Sequence, residues 1–168
     1  MTLRLHLLLA LAATVLASKV AFAAAPDYQT YAELLERYVT PAGVRYSEWK
    51  ASPADGEKLD RFLGELATVD TRSLSRPEAI AFYVNLYNAA MIDAVLEHYP
   101  LESVRSIGLL PFSVFRQERI RLGEKKVSLD TVEKEILLKR YGDPRIHFAV
   151  NCASESCPPL RAEPFTGA

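Results

Sequence analysis

The most sustained pattern of apolar and polar positions in the chain lies between Ser75 and His98. Ile80, Val84, Tyr87, Met91, Ala94 and Val95 recur at helical spacing and form one apolar stripe. Phe82, Leu86 and Ile92 fall off that stripe, so the predicted helix should be covered on most sides and act as the core helix. Its start is written locally. Ser75 can cap the first turn while Glu78 reaches back, and Pro77 sits where its missing N–H costs little. Pro100 closes the segment. Asn85 and Asn88 interrupt the pattern, and asparagine is a poor helix-interior residue because its amide competes for local backbone groups. Three apart, the two amides share one side of the helix. Two readings stay open: they hydrogen-bond a crossing loop, or they line a site and hold a substrate carbonyl or an oxyanion.

Upstream, Tyr31, Leu34, Leu35 and Tyr38 predict a helix over Asp27 to Val39, ended by Thr40-Pro41-Ala42-Gly43. Val44 to Tyr46 reads as a short extended piece, and Trp49 as a packing residue. Ser52-Pro53 opens a second helix to about Val69, with Leu59, Phe62, Leu63 and Leu66 on one stripe. Downstream of Pro100 the chain looks loop-like through Leu110-Pro111. Phe112 to Phe115 and Glu118 to Leu122 then look extended, and Gly123-Glu124 turns into Lys126 to Ser128, a hairpin signal. Ser128 caps a helix over Leu129 to Arg140, with Asp130 in its first turn, Lys139-Arg140 in its last and Gly142 as the stop. After the Asp143-Pro144 turn, Arg145 to Cys152 reads as a strand. Phe148, Val150 and Cys152 would share one face of it, and His147, Ala149 and Asn151 the other. The expected fold is α+β: mainly helical, with a small antiparallel sheet, containing the hairpin and this strand, packed on a central buried helix.

Composition changes the picture at one end. Residues 1–23 resemble an export signal: Arg4, an apolar run from Leu5 to Ser18 and the small-x-small site Ala21-Phe22-Ala23. The run is shorter than the roughly 20 residues a membrane helix needs, so no stable span is expected after cleavage. Loss of Arg4 and Lys19 leaves 18 cationic side chains against 21 acidic ones, a charge of −3. With no basic block, nucleic acid is not an expected partner. A periplasmic or secreted location follows, with residues 24–168 as a single domain.

Chemistry concentrates between Asp143 and Leu160, which holds both cysteines and His147, one of three histidines in the chain. A thiol nucleophile needs a neighbouring base. On an extended strand His147 and Cys152 would lie about 16 Å apart on opposite faces, so Cys157, returned by a loop from Ala153, is the better partner for His147. A helix facing a His-bearing strand invites analogy with thiol hydrolases and transglutaminase-like folds. The competing reading is a Cys152–Cys157 disulfide, since export offers an oxidising compartment and the spacing is closable. A zinc site from His147, Cys152 and Cys157 lacks a fourth ligand and paired spacing, so no metal is expected. No glycine-rich phosphate loop, serine elbow or HExxH helix is present, and no cofactor is expected. Arg145 and Arg161 could meet an anionic ligand, although ion pairs explain them more simply.

DPRIHFAVNCASESCPPLR, with VSLDTVEKEIL before it and AFYVNLYNA further upstream, closely resembles the family of domain of unknown function 547. The resemblance runs from roughly Tyr31 to the end, with three separated motifs in the family's order. It implies no activity, because none is established for the family, whose members occur in bacteria and plants. In that family Glu-His often stands where this chain has Glu133-Lys134, and the domain usually continues beyond the segment resembling EPFTG. A C-terminally incomplete domain, with apolar surface uncovered, is the matching expectation.

Two functions remain. One is an exported domain that binds a small ligand or a protein in a cleft between the Asn85/Asn88 helix and the Cys152–Cys157 loop. There Asn85, Asn88, Asn151 and Arg145 would make the contacts. The other is a thiol-dependent hydrolase or transferase using Cys157 or Cys152 with His147, so whether the protein is an enzyme stays open. The export reading predicts a mature chain beginning near Ala24. Mass spectrometry of material recovered outside the cytoplasm should find that terminus, and an intact Met1 in the membrane fraction would refute it.

Overall fold

A computed structural model of the protein describes residues 26–167; the expected leader at 1–23 lies outside them. In chain order α1 (Gln29–Tyr38), a ribbon of β1 (Val39–Thr40) and β2 (Gly43–Val44), α2 (Tyr46–Lys50) and α3 (Pro53–Ala67) precede the central helix α4 (Arg76–His98). A short turn of 3₁₀ helix (Val104–Ser106), α5 (Ser113–Arg116) and the hairpin β3 (Ile120–Leu122) and β4 (Lys125–Val127) follow it. The chain then runs through a π-helix (Thr131–Arg140) and a second 3₁₀ turn (Pro144–Phe148) into an irregular C-terminal strap. The fold is mainly helical α+β around a buried helix.

α4 starts as its sequence dictates. The Ser75 hydroxyl accepts from the Glu78 N–H at 3.5 Å, and the Glu78 carboxylate accepts the Ser75 N–H at 2.9 Å. That carboxyl is held below its usual range by the same Ser75 contacts. Sixteen of the 23 residues of α4 are buried, so the helix is core on nearly every side and not merely amphipathic. It is long and apolar enough to cross a membrane by composition, yet 89% of its most apolar window is covered by the rest of the fold.

α3 packs between α1 and α4, and β3 lies against α3. Tyr31 stacks on Phe62 with ring centroids 4.7 Å apart, and Tyr38 stacks on Trp49 at 4.6 Å. The packing reading of Trp49 is right. The ribbon β3–β4 pairs Ile120 with Val127 and Leu122 with Lys125, and its turn residue Gly123 (φ +57°) donates to the Ala67 carbonyl at 2.8 Å. The Ser128 hydroxyl accepts from the Thr131 N–H at 3.1 Å, as a cap should. The helix that follows is wound wider than expected. Its closing bond, from the Tyr141 N–H to the Ile136 carbonyl, spans five residues, which defines a π-helix.

Two expected extended segments are not strands. Arg145 to Cys152 is replaced by the 3₁₀ turn Pro144–Phe148, so the sheet expected to include it is instead two separate two-stranded ribbons. The cause is local: the Asp143 carboxylate accepts the Arg145 N–H at 3.0 Å, and Pro144 presets the first helical φ. Ile146 and Val150, four apart, become the buried positions, linked by a Val150 N–H to Ile146 carbonyl bond. Phe148, expected to share their face, is 79% exposed. Likewise Phe112 to Phe115 is not extended. Phe112 lies at φ +64° and Ser113 starts a single helical turn.

Between α1 and α3 lies a buried charge. Asp55 accepts from Lys58 Nζ at 2.8 Å, from the Tyr38 hydroxyl at 2.7 Å and from Arg37 at 2.7 Å. The Lys58 hydrogen bond, then those of Tyr38 and Arg37, hold its carboxyl far below the usual carboxylate range. Because the folded-state pKa is depressed, the stability that Asp55 contributes is present above its unfolded value near 4 and is lost as pH falls toward the folded one. Asp55→Ala should cost about 2 kcal/mol at neutral pH, and the gap between variant and wild type should narrow below about pH 4. Denaturant unfolding at pH 7 and pH 3 measures both.

Candidate functional site

The strap runs back along α4, and two amides hold it there. Asn88 donates to the Ala149 carbonyl at 3.0 Å and accepts from the Asn151 N–H at 2.8 Å, gripping the chain on either side of buried Val150. Asn85, one helical turn back, donates to the Phe165 carbonyl at 2.8 Å and accepts from the Phe165 N–H at 2.9 Å. Each amide thus pairs with backbone as a neighbouring strand would, which an amide can do because it carries a donor and an acceptor. Two turns further back the strap meets the start of α4. A Cβ added to Gly167 would come 2.8 Å from the Glu78 backbone nitrogen, so only glycine allows that approach.

Between these grips the chain loops out and is closed from within. Cys152 and Cys157 lie at disulfide distance, their Cα atoms 6.1 Å apart. The Asn151 side chain adds a second closure: its amide donates to the Pro158 carbonyl at 2.7 Å, and its oxygen accepts the Ala153 N–H at 2.9 Å. With the sulfurs joined, neither cysteine is a nucleophile in this oxidation state. His147 sits on the exposed side of the 3₁₀ turn.

A cavity of about 490 Å³ opens beside the strap. Pro77, Ile80 and Val84 of α4 form one wall, Ile146 and Phe148 the second, and Phe165 the third. Arg76, Arg145 and Asp143 also line it. Arg145 grips the Asp143 carboxylate through Nε at 3.0 Å and Nη2 at 2.6 Å, which brings that carboxyl down to about 2. Arg76 donates to the Tyr141 carbonyl and lies over the Tyr141 ring, 5.4 Å from its centroid. Tyr28 stands near Asn85, and burial pushes its hydroxyl up to about 12, so it stays protonated.

Of the residues singled out from sequence, Asn85, Asn88 and Asn151 are brought together, all engaged with strap backbone. Cys152 and Cys157 close the loop. Arg145 reaches the cavity, and His147 is not among the residues lining it. Arg76, Asp143, Ile80, Val84 and Phe165 went unnoticed as a group. The clue at Arg76-Pro77 was absorbed by the helix start, and the other walls lie some 70 to 90 positions away in the chain.

A helical α+β domain whose core helix clamps an irregular C-terminal strap through two amides is the class that fold and site define. The family model described as protein of unknown function, DUF547, matches residues 71–168, and the chain belongs to that family. No curated protein and no solved structure gives a significant match.

Asn88→Leu leaves a backbone N–H and a carbonyl without partners and should cost about 3 kcal/mol, with faster proteolysis within the strap. Asn88→Asp loses the donor, since a carboxylate cannot face the Ala149 carbonyl; protonation restores it, raising the folded pKa of the new carboxyl. Stability that this proton supplies is present at low pH and lost as pH rises through the raised value. Relative to wild type, Asn88→Asp should therefore recover between pH 7 and pH 5, as measured by thermal unfolding.

Proposed function

We propose that the protein is an exported binding domain that takes a small, largely apolar ligand carrying an acidic group into the cavity beside the strap. The observation that carries this reading is the composition of the cavity wall: about 490 Å³ of space with apolar side chains on three sides and the guanidiniums of Arg76 and Arg145. The amide grips of Asn85 and Asn88 support it, because they hold the strap wall in place before any ligand arrives. Arg145 already holds Asp143, so Arg76 is the guanidinium we assign to the ligand's acid, where it would exchange its Tyr141 contacts for a carboxylate. The cysteine pair supports binding over thiol catalysis, since joined sulfurs offer no nucleophile. An oxidising compartment outside the cytoplasm suits that pair.

Decanoate and decan-1-ol, compared by titration calorimetry, test the reading. Decanoate should bind at least tenfold more tightly than the alcohol, and Arg76→Glu should remove that preference. Ile80→Trp, which fills the cavity from a half-buried position, should abolish binding while thermal unfolding stays cooperative. Equal affinity of the Ile80→Trp variant and the wild type would sink the proposal.

A further inference from the structure

Far from this cavity in sequence, the loop between the first 3₁₀ turn and β3 displays apolar side chains that the described fold leaves largely exposed. Leu109 is 101% exposed, Leu110 66% and Phe112 47%. Three large apolar residues at one tip are unlike the scattered single exposures ordinary on soluble proteins. Nor is the tip a frayed end. Val104, Ile107 and Val114, on either side of it, are buried in the core. The Ser113 hydroxyl donates to the Leu110 carbonyl at 2.6 Å and accepts the Leu110 N–H at 3.1 Å, tying the turn across its base. At Gly108 (φ +93°) a Cβ would come 2.6 Å from that of Ser113, so the turn needs glycine there. The leucines are held outward by a fixed frame.

Charge says what such a tip fits. The Arg105 guanidinium lies over the Phe112 ring, 4.8 Å from its centroid, and Arg116 donates to the Pro111 carbonyl at 3.2 Å. Among the described residues neither is in an ion pair. An aliphatic apex with two guanidiniums outside any ion pair at its base matches the layering of an anionic bilayer surface, acyl chains below and phosphates above. A protein partner would need a broader face, since specific interfaces bury about 800 Å² a side. We propose that the Leu109–Leu110 tip inserts into the surface of an anionic lipid bilayer, with Arg105 and Arg116 on the headgroup phosphates. This contact is peripheral, involves no membrane span and does not depend on the cavity reading.

The test uses the full chain with vesicles of phosphatidylglycerol or phosphatidylcholine, so that any attraction from the N-terminal segment is common to every variant. Leu109→Asp/Leu110→Asp should bind phosphatidylglycerol at least tenfold more weakly than wild type with unchanged thermal unfolding, because both positions are exposed. Arg105→Glu/Arg116→Glu should weaken binding to phosphatidylglycerol, at least fivefold, and leave phosphatidylcholine unaffected. Leu110→Trp reports insertion itself: its emission should shift to the blue and be quenched by brominated acyl chains beyond any quenching of Trp49 in the wild type. A double aspartate variant that binds like wild type overturns the proposal, as does a Leu110→Trp variant whose emission brominated lipid leaves untouched. Absence of wild-type binding to either vesicle overturns it too and leaves the tip to a protein partner.

Discussion

Everything near the candidate site depends on two amides pointing out of the apolar middle of a helix. Through the middle of α4 the backbone is satisfied within the helix, and its apolar side chains can press on a neighbour without telling it where to stop. Asn85 and Asn88 supply the missing direction. Each offers a donor and an acceptor to peptide groups of the strap, so a shift of the strap by one residue would break four bonds at once. Buried amides without partners are costly, which makes the pairing obligatory in both directions: the strap needs the helix for its register, and the helix needs the strap to keep its amides satisfied.

What the sequence made legible follows from this. α4 could be read almost to the residue because its signals are local and redundant: the Ser75–Glu78 box, Pro77, the apolar period and Pro100. The crossing-loop reading of the asparagines was also available, since a buried amide must be satisfied somewhere, but nothing in the pattern said by which loop. The segment after Asp143 misled because alternation over eight residues is weak evidence for a strand, while a capping carboxylate followed by proline is equally compatible with a helical turn. Capping won. The π-winding of Thr131–Arg140 leaves its helical residues recognisable and its hydrogen-bond register invisible. The cavity could not be seen at all, because its three walls come together only once Ile146, Phe148 and Phe165 have been brought back onto Ile80 and Val84.

The short loop between the grips shows how a strap without regular structure can still be definite. From Asn151 to Pro158 the chain is tied by the cysteine pair, by the Asn151 amide across its base and by the Cys157 N–H to the Ser154 carbonyl at 2.9 Å. Removing one tie leaves two. This redundancy explains why Asn151 behaves as part of the scaffold although it stands beside the cysteines, and why a polar, Ser- and Glu-bearing loop can sit in the open without loosening the wall behind it.

The charges beside the strap are held as firmly as its backbone. Asp143 is held down to about 2 by Arg145, whose own pKa is raised by the same contact, and beside the strap burial pushes Tyr28 up to about 12. Between those limits neither group changes charge. Proton transfer near neutral pH needs a group poised there, and these two are not. Asp143 and Tyr28 therefore hold shape and charge beside the strap.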